Sequence, residues 1–239
     1  MTVPKNQAEH IFRRAWLYAL DTLFPPNCLC CDQEGEWMCA RCRAHLKRAI
    51  PALCPLCTVP IGNGFLCADC RTDSGIQQIV SVFHFKQKGI RELVHALKYE
   101  NIRSVAPWMG RCMAAAWRLH GYGTHDIIMP IPLHASRLRE REYNQALLLA
   151  QSIQRELDIG MQEDILARTK PTASQTELTS GERAKNVKGC FSLMVPEISH
   201  KNIVLVDDVF TTGATLREAA HTLHAGGAKN ISALTFAHD

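Results

Sequence analysis

Ile203-Val204-Leu205-Val206 is a run of four apolar residues, three of them β-branched, and it closes on two carboxylates, Asp207 and Asp208. A run of that kind reads as a strand buried on both faces, as in a parallel sheet. Val209 and Phe210 lead into Thr211-Thr212-Gly213-Ala214-Thr215, a short loop of hydroxyls and glycine. Leu216 to His224 then carries a helical pattern stopped by Gly226-Gly227. Strand, acidic edge, small-residue loop and helix N-terminus together form an anion cradle. The amides of the loop and first helical turn converge on one space, and the helix dipole favours negative charge there. Gly213 can take a positive φ and let an anion approach the main chain. The threonine hydroxyls supply further donors.

Two carboxylates beside an anion site need a reason, because they would repel a phosphate that reached them. A ribose 5-phosphate supplies one, with its phosphate in the loop and its 2- and 3-hydroxyls donating to Asp207 and Asp208. The run closely resembles the phosphoribosyl-pyrophosphate (PRPP) signature of type I phosphoribosyltransferases. A Walker B strand also ends in paired acids, but no G-x-x-x-x-G-K-[ST] lies upstream. A response-regulator acidic pair belongs on an early strand, without Thr-Thr-Gly-Ala-Thr after it. Gly121-Tyr122-Gly123 lacks the third glycine and the preceding strand of a Rossmann turn. The plain alternative is a polar turn that caps an ordinary helix.

The other strong signal is in the cysteines. Of eleven, eight form the C-x-x-C pairs Cys28/Cys31, Cys39/Cys42, Cys54/Cys57 and Cys67/Cys70. Each pair can turn two thiolates toward one tetrahedral ion, and two pairs complete a four-cysteine site. Sequential pairing gives one zinc at Cys28, Cys31, Cys39 and Cys42 and a second at Cys54, Cys57, Cys67 and Cys70. Interleaved pairing fits the spacing too, and disulfides or an iron–sulfur cluster are the other options for such pairs. Four thiolates leave no open position on the ion, so the zinc is expected to be structural. Arg41, Arg43, Lys47 and Arg48 beside the second pair read as a nucleic-acid contact or, equally, as a solvated helix face.

At 46% hydrophobic and 21% charged over 239 residues, the composition is that of a soluble protein with room for one sizeable domain and a small one. A net charge of +4 permits contact with polyanions without arguing for nucleic acid. Arg13-Arg14 and the apolar residues after them mimic a signal peptide, but Asp21 and Pro25-Pro26 interrupt the run. An amphipathic helix over roughly Gln7 to Leu23 and a cytoplasmic protein with no membrane insertion are expected. The organisation read is residues 1–23 as that helix, 24–71 as a double zinc-ribbon module and 76–239 as an α/β domain.

In that domain Ile79 to Phe85 alternates as a strand, and helices are expected over Gly89–Lys98, Val105–Leu119 and Asn144–Leu157. Asp126–Pro132 reads as a strand, with shorter ones at Ile165–Arg168 and Cys190–Met194 and a last one at Ile231–Phe236. The alternation predicts a parallel sheet flanked by helices, with ligands at the carboxyl ends of the strands. Arg137, Arg139 and Arg141 could clamp a diphosphate there, or be a solvated charge run balanced by Glu140 and Glu142. Arg168 to Gly189 is long and polar, as a lid or a disordered segment would be, with Gln175, Arg183, Lys185, Asn186 and Lys188 as donors.

Taken together, these pieces resemble the ComF/GntX family, the ComFC-like competence and DNA-utilisation proteins. The resemblance is carried by the C-x-x-C module, Leu97-Lys98-Tyr99, and Pro132-Leu133 leading to Arg141-Glu142-Tyr143-Asn144-Gln145. Thr172 to Leu178 with Arg183, Asn186 and Gly189, and Val206 to Thr215, complete it. It implies a type I phosphoribosyltransferase-like fold, PRPP binding with Mg²⁺, and a link to DNA uptake or use. Carried over residue by residue, Asp207 and Asp208 would hold the ribose hydroxyls. Thr211, Thr212, Gly213, Ala214 and Thr215 would hold the 5-phosphate. Arg141, Arg183 and Lys98 would neutralise the diphosphate, with Asn144 also in the PRPP site. Glu142 stands where the family usually has glycine, which would strain a positive-φ turn and bring a negative charge toward the diphosphate. Three functions follow as expectations: 5-phosphoribosyl transfer to a nitrogen acceptor, a non-catalytic PRPP or nucleotide sensor, or an adaptor for single-stranded DNA whose zinc ribbons dock on an uptake or helicase protein.

Overall fold

The computed structural model describes residues 25–49, 53–61, 66–121, 123–171, 186–198 and 201–239. The expected N-terminal helix and most of the polar 169–189 segment, Gln175, Arg183 and Lys185 included, lie outside them. Two compact units divide between Leu46 and Lys47.

In the first unit the chain turns tightly at Cys28–Cys31. Asp32 N–H donates to the Cys28 carbonyl at 2.8 Å, Cys28 N–H donates to Gln33 O at 2.8 Å, and Asn27 bridges to Glu34. Asp32 takes a φ of 63° to close the turn. Helix α1 (Ala40–Ala44) starts directly after Cys39. The same device recurs in the second unit. Thr58 N–H donates to Cys54 O and Cys54 N–H to Val59 O, both at 2.8 Å, Leu53 bridges to Pro60, and Thr58 has a φ of 62°. Helix α2 (Ala68–Ser74) starts directly after Cys67. The double ribbon is thus one local geometry used twice, a repeat of hydrogen bonding rather than of residue identity.

The rest of the second unit is an α/β body. In chain order it comprises β1 (Ile79–His84), α3 (Ile90–Tyr99), α4 (Ala106–His120), β2 (Ile127–Pro130), α5 (Ala135–Arg141), α6 (Gln145–Leu157), β3 (Gly160–Met161), β4 (Leu166–Arg168), β5 (Phe191–Leu193), β6 (Asn202–Phe210), α7 (Ala214–Ala225) and β7 (Asn230–His238). Five strands form a parallel sheet in the order β1-β7-β6-β2-β3. Ile203 to Val206 are all buried, as a central strand demands. Alternate residues serve two layers. Ile203, Leu205, Ile127 and Met129 join a cluster with Leu216, Ala219, Ala220 and Leu223 of α7. The opposite face is covered by α4 and α6, which pack on each other and on the sheet.

Two of the expected strands differ. Residues 166–168 and 191–193 pair antiparallel, outside the main sheet. They bracket the polar segment, and an antiparallel pair is how a chain leaves and returns locally. Two-residue β3, held by Ile127 against Gly160, is too short to show a period. The 135–141 stretch is helical, which matters for its arginines.

Candidate functional site

The sheet order places the acidic pair. From β6 the chain crosses through α7 to β7 on one side, and from β2 it crosses through α6 to β3 on the other. The β6/β2 boundary is therefore the point where the winding reverses, and a crevice opens outside the carboxyl ends of the strands at such a point. Pairing of β2 with β6 ends at Pro130–Val206, with one more bond from Ile131 N–H to Val206 O at 2.9 Å. Asp207 and Asp208 are the next residues, where β2 has already turned away.

Beyond them Asp207, Phe210, Thr211, Gly213, Ala214 and Thr215 line a cleft of about 260 Å³, counting the part open to solvent. Gly213 has φ 72° and caps α7, and Arg217 N–H donates to its carbonyl at 2.9 Å. A left-handed residue there turns the chain from strand into helix within four residues and leaves the first-turn amides facing the cleft. Lys98, from the last turn of α3, puts Nζ 2.9 Å from Asp208 Oδ1, and Asp208 is 5% exposed. Asp207 keeps an edge on the cleft, and its Oδ1 accepts from Asp208 N–H at 2.8 Å. Burial first, then repulsion from Asp208, push the Asp207 carboxyl up to about 7 against the opposing pull of Lys98, the Asp208 amide and Arg168.

The remaining expected residues divide. Arg141 closes α5 with its guanidinium 5.1 Å from the Tyr99 ring centre, next in sequence to Lys98, and its Nε is buried with no hydrogen-bond partner among the described residues. A buried guanidinium nitrogen left unpaired is a donor that an anion would satisfy. Arg137 and Arg139 do not join it. On a helix, residues two apart point about 200° from each other, which turns exposed Arg139 away from Arg141, while Arg137, one turn before Arg141 on the same face, pairs with Glu140 at 3.0 Å. The three-arginine clamp thus reduces to one candidate. Asn144 caps α6: its Oδ1 accepts from Ala146 N–H and its Nδ2 donates to Ile131 O, both at 3.0 Å. Its amide is committed to holding the β2 end in place. Arg168 is the residue that pattern-reading passed over. It sits at the end of β4 within electrostatic reach of Asp207, and it also opposes the upward push of burial on the Cys190 thiol. A cation at a strand's carboxyl end was the available signal.

Glu142 does occupy the left-handed region, at φ 65° and ψ −8°. Its carboxylate turns to Arg103 Nη2 at 3.4 Å and Asn101 Nδ2 at 3.3 Å, so its charge is answered locally. We expect Glu142→Gly to stabilise the protein by up to about 1 kcal/mol, since relief of left-handed strain exceeds the weak exposed ion pair and the added unfolded-state entropy. Glu142→Ala keeps the strain and loses the contacts, and should destabilise by about 0.5–1 kcal/mol. Urea midpoints for the two variants check this; shifts of the same sign would refute it.

At the cysteines the sulfurs settle the pairing. Cys28, Cys31, Cys39 and Cys42 form one group and Cys54, Cys57, Cys67 and Cys70 the other, with ligand atoms in each within 4.8 Å of one another. Cys31 and Cys39 sulfurs lie 3.7 Å apart and Cys57 and Cys67 3.5 Å, close to the roughly 3.8 Å edge of a tetrahedron with zinc–sulfur bonds of about 2.3 Å. The arrangement is sequential and both sets fit structural zinc. Burial pushes the Cys54 thiol up, but amides of Cys67, Leu56 and Cys57 outweigh it and bring it to about 6.

Comparison with known proteins agrees with this geometry. Residues 143–239 match the phosphoribosyl transferase domain and residues 19–71 the double zinc ribbon domain. The chain is 31% identical to Competence protein F of Haemophilus influenzae, over 82% of its own length and 94% of that protein. It belongs to the ComF/GntX family. It is also 32% identical to the DNA utilization protein YhgH of Escherichia coli K12 (82% and 88% covered) and 27% identical to Competence protein ComFC of Bacillus subtilis (87% and 93%). A purine phosphoribosyltransferase from Pyrococcus horikoshii overlays 56% of this chain and 74% of its own at 19% identity, with a TM-score of 0.35. By its domain matches and its sulfur geometry, the ComF/GntX chain joins a phosphoribosyltransferase-like parallel sheet to two ribbons of four cysteines each. Among the described residues, no helix is long and apolar enough to cross a membrane.

Proposed function

We propose that this ComF/GntX protein binds PRPP at the β6–α7 turn and transfers its 5-phosphoribosyl group to a nitrogen acceptor, in a cytoplasmic pathway of DNA uptake or utilisation. The observation that carries the reading is the acidic pair at the winding reversal, one turn from a glycine-opened helix N-terminus. A phosphate matches the amides and hydroxyls of Thr211 to Thr215. Ribose hydroxyls match Asp207 and Asp208, and the orphaned Nε of Arg141 marks where a second, diphosphate charge would be answered.

In the reaction the C1–oxygen bond to diphosphate breaks, a C1–nitrogen bond forms, and the acceptor gives up a proton. Charge separates between ribose and leaving group, so fixed charges matter more than any single covalent step. Lys98 and Arg141 stand on the leaving-group side in this reading; Arg183, outside the described residues, is a third cation only by the family resemblance. Asp207 and Asp208 would help to hold Mg²⁺ with the substrate, and the ion would supply positive charge to the departing diphosphate. The two carboxylates are a donor set that fits such an ion, once Lys98 releases Asp208.

That last condition favours a second reading, a PRPP sensor without turnover: Lys98 already neutralises Asp208 in the free protein. Calorimetry with PRPP and Mg²⁺ tests the shared step. Binding by wild type that is lost in Asp207→Ala/Asp208→Ala supports the site, and absence of wild-type binding refutes it. Pyrophosphate release over a panel of purine, pyrimidine and nucleotide acceptors then separates transferase from sensor. The link to DNA is drawn from what the relatives' names say of them, and salt-dependent single-strand binding that disappears with zinc would support it.

A further inference from the structure

The second cysteine cluster is built into the α/β body. Cys54 is fully buried and belongs to the same apolar cluster as Leu205 and Leu216. Leu56, between the ligands Cys54 and Cys57, reaches the phosphate loop: a methyl placed on Gly213 would come within 2.7 Å of its Cδ2. Helix α2, which carries Cys70, is tied along α7. Arg217 Nη1 lies 3.2 Å from Asp73 Oδ2, and the His224 ring sits between the carbonyl oxygens of Gly75 at 2.7 Å and Ala228 at 3.0 Å. The helix that opens the anion cradle is therefore held by the ribbon near its beginning, one turn on, and at its end.

We propose that metal binding at Cys54, Cys57, Cys67 and Cys70 sets the position of the phosphate loop through Leu56, so that metal and sugar phosphate bind cooperatively. This rests on the sugar-phosphate reading of the β6–α7 turn. The knuckle around Leu56 is a tight turn with a left-handed Thr58, and its Leu53 and Val59 are exposed rather than packed, so the ion supplies much of what holds it. Gly213 leaves a space beside the strand end that Leu56 and Phe210 fill. If the knuckle loosens, that space opens and the cradle amides lose their fixed direction. Leu56 is a positioning residue in this account, not a ligand.

The test uses the full chain with zinc bound, in Cys31→Ser/Cys42→Ser to isolate the second cluster and in Cys57→Ser/Cys70→Ser to isolate the first. Zinc affinity, read by equilibrium competition with 4-(2-pyridylazo)resorcinol, should rise about tenfold on adding PRPP with Mg²⁺ in the former and stay unchanged in the latter, because coupling of binding free energies is reciprocal. Leu56→Ala in the former background should keep its zinc yet lose most of that gain in zinc affinity, with PRPP affinity down about tenfold. Hydrogen exchange of the 213–217 amides needs no ligand, and should quicken when the second cluster alone is emptied and in Leu56→Ala. Should Cys57→Ser/Cys70→Ser not fold, Leu56→Ala still decides. Unchanged exchange, or an undiminished gain in zinc affinity in Leu56→Ala, overturns the coupling. If wild type binds no PRPP, the sugar-phosphate reading falls, and the exchange result still judges the metal–loop strut.

Discussion

Gly213→Ala is expected to destabilise the protein by about 2–4 kcal/mol and to weaken PRPP binding by about 100-fold or more. Two effects add. The residue holds φ 72°, and an L side chain in the left-handed region costs about 1–2 kcal/mol. Its Cβ would also lie 2.7 Å from Leu56 Cδ2 and 2.9 Å from Phe210 Cε2, closer than carbon atoms pack. Phe210 is 2% exposed at the end of a central strand and cannot swing away, and overpacking at such a site costs about 1–3 kcal/mol. Alanine recovers only about 0.4–1 kcal/mol by stiffening the unfolded chain. The binding loss follows from the same overlap, because relieving it moves the turn that aims the cradle amides, and two weakened hydrogen bonds to a charged phosphate, at about 1.5–3 kcal/mol each, amount to about 100-fold or more. A urea midpoint unchanged at constant slope, with wild-type PRPP affinity, would show that the turn is not built as described.

The Asp207 carboxyl leads to an opposite pairing of effects. Asp207→Asn should make the free protein more stable at pH 8 by about 1–3 kcal/mol, while weakening PRPP binding by about 100-fold. The sign follows from proton binding. With the folded carboxyl raised to about 7 by burial and by Asp208, the unfolded chain releases its proton first as pH rises. Between about pH 4 and 7 the folded state holds a proton that the unfolded state has lost, so stability falls across that window and levels off above it. Asparagine stays neutral, can still accept from Asp208 N–H, and so removes the fall. At pH 4 the two proteins should coincide. Binding moves the other way, since a hydrogen bond to a charged acceptor is worth about 1.5–3 kcal/mol and the amide gives that up. Denaturation at pH 4, 6 and 8 beside calorimetry at pH 8 checks both halves. A variant that is less stable at pH 8, or that binds PRPP as wild type does, would remove the strained carboxylate from the account. A site residue that costs stability until its ligand arrives is the trade-off expected of a binding site.

What the residues alone determined was the set of local pieces. The β6 run, the small-residue loop, the helix after it and the four cysteine pairs all declare themselves within a dozen residues, because buried strands, helix starts and metal knuckles depend on chain neighbours. Hence α4 over Ala106–His120 and α6 over Gln145–Leu157 lie within a residue of the spans expected from periodicity. Tertiary structure decided how the pieces meet. Lys98 lands on Asp208, and Leu56 fills the space beside Gly213, across long stretches of chain. Helix α5 turns Arg139 away from Arg141 and pairs Arg137 with Glu140, an outcome that alternate spacing hides until the backbone coils. Strands β4 and β5 leave the main sheet and pair antiparallel with each other, a partnership that their apolar runs do not reveal. The carboxyl of Asp207 acquires its raised proton affinity only after Asp208 and the surrounding packing have shut out water. Short-range pattern specifies which atoms can do chemistry; burial by residues remote in the chain decides which of them are charged, paired and facing the cleft.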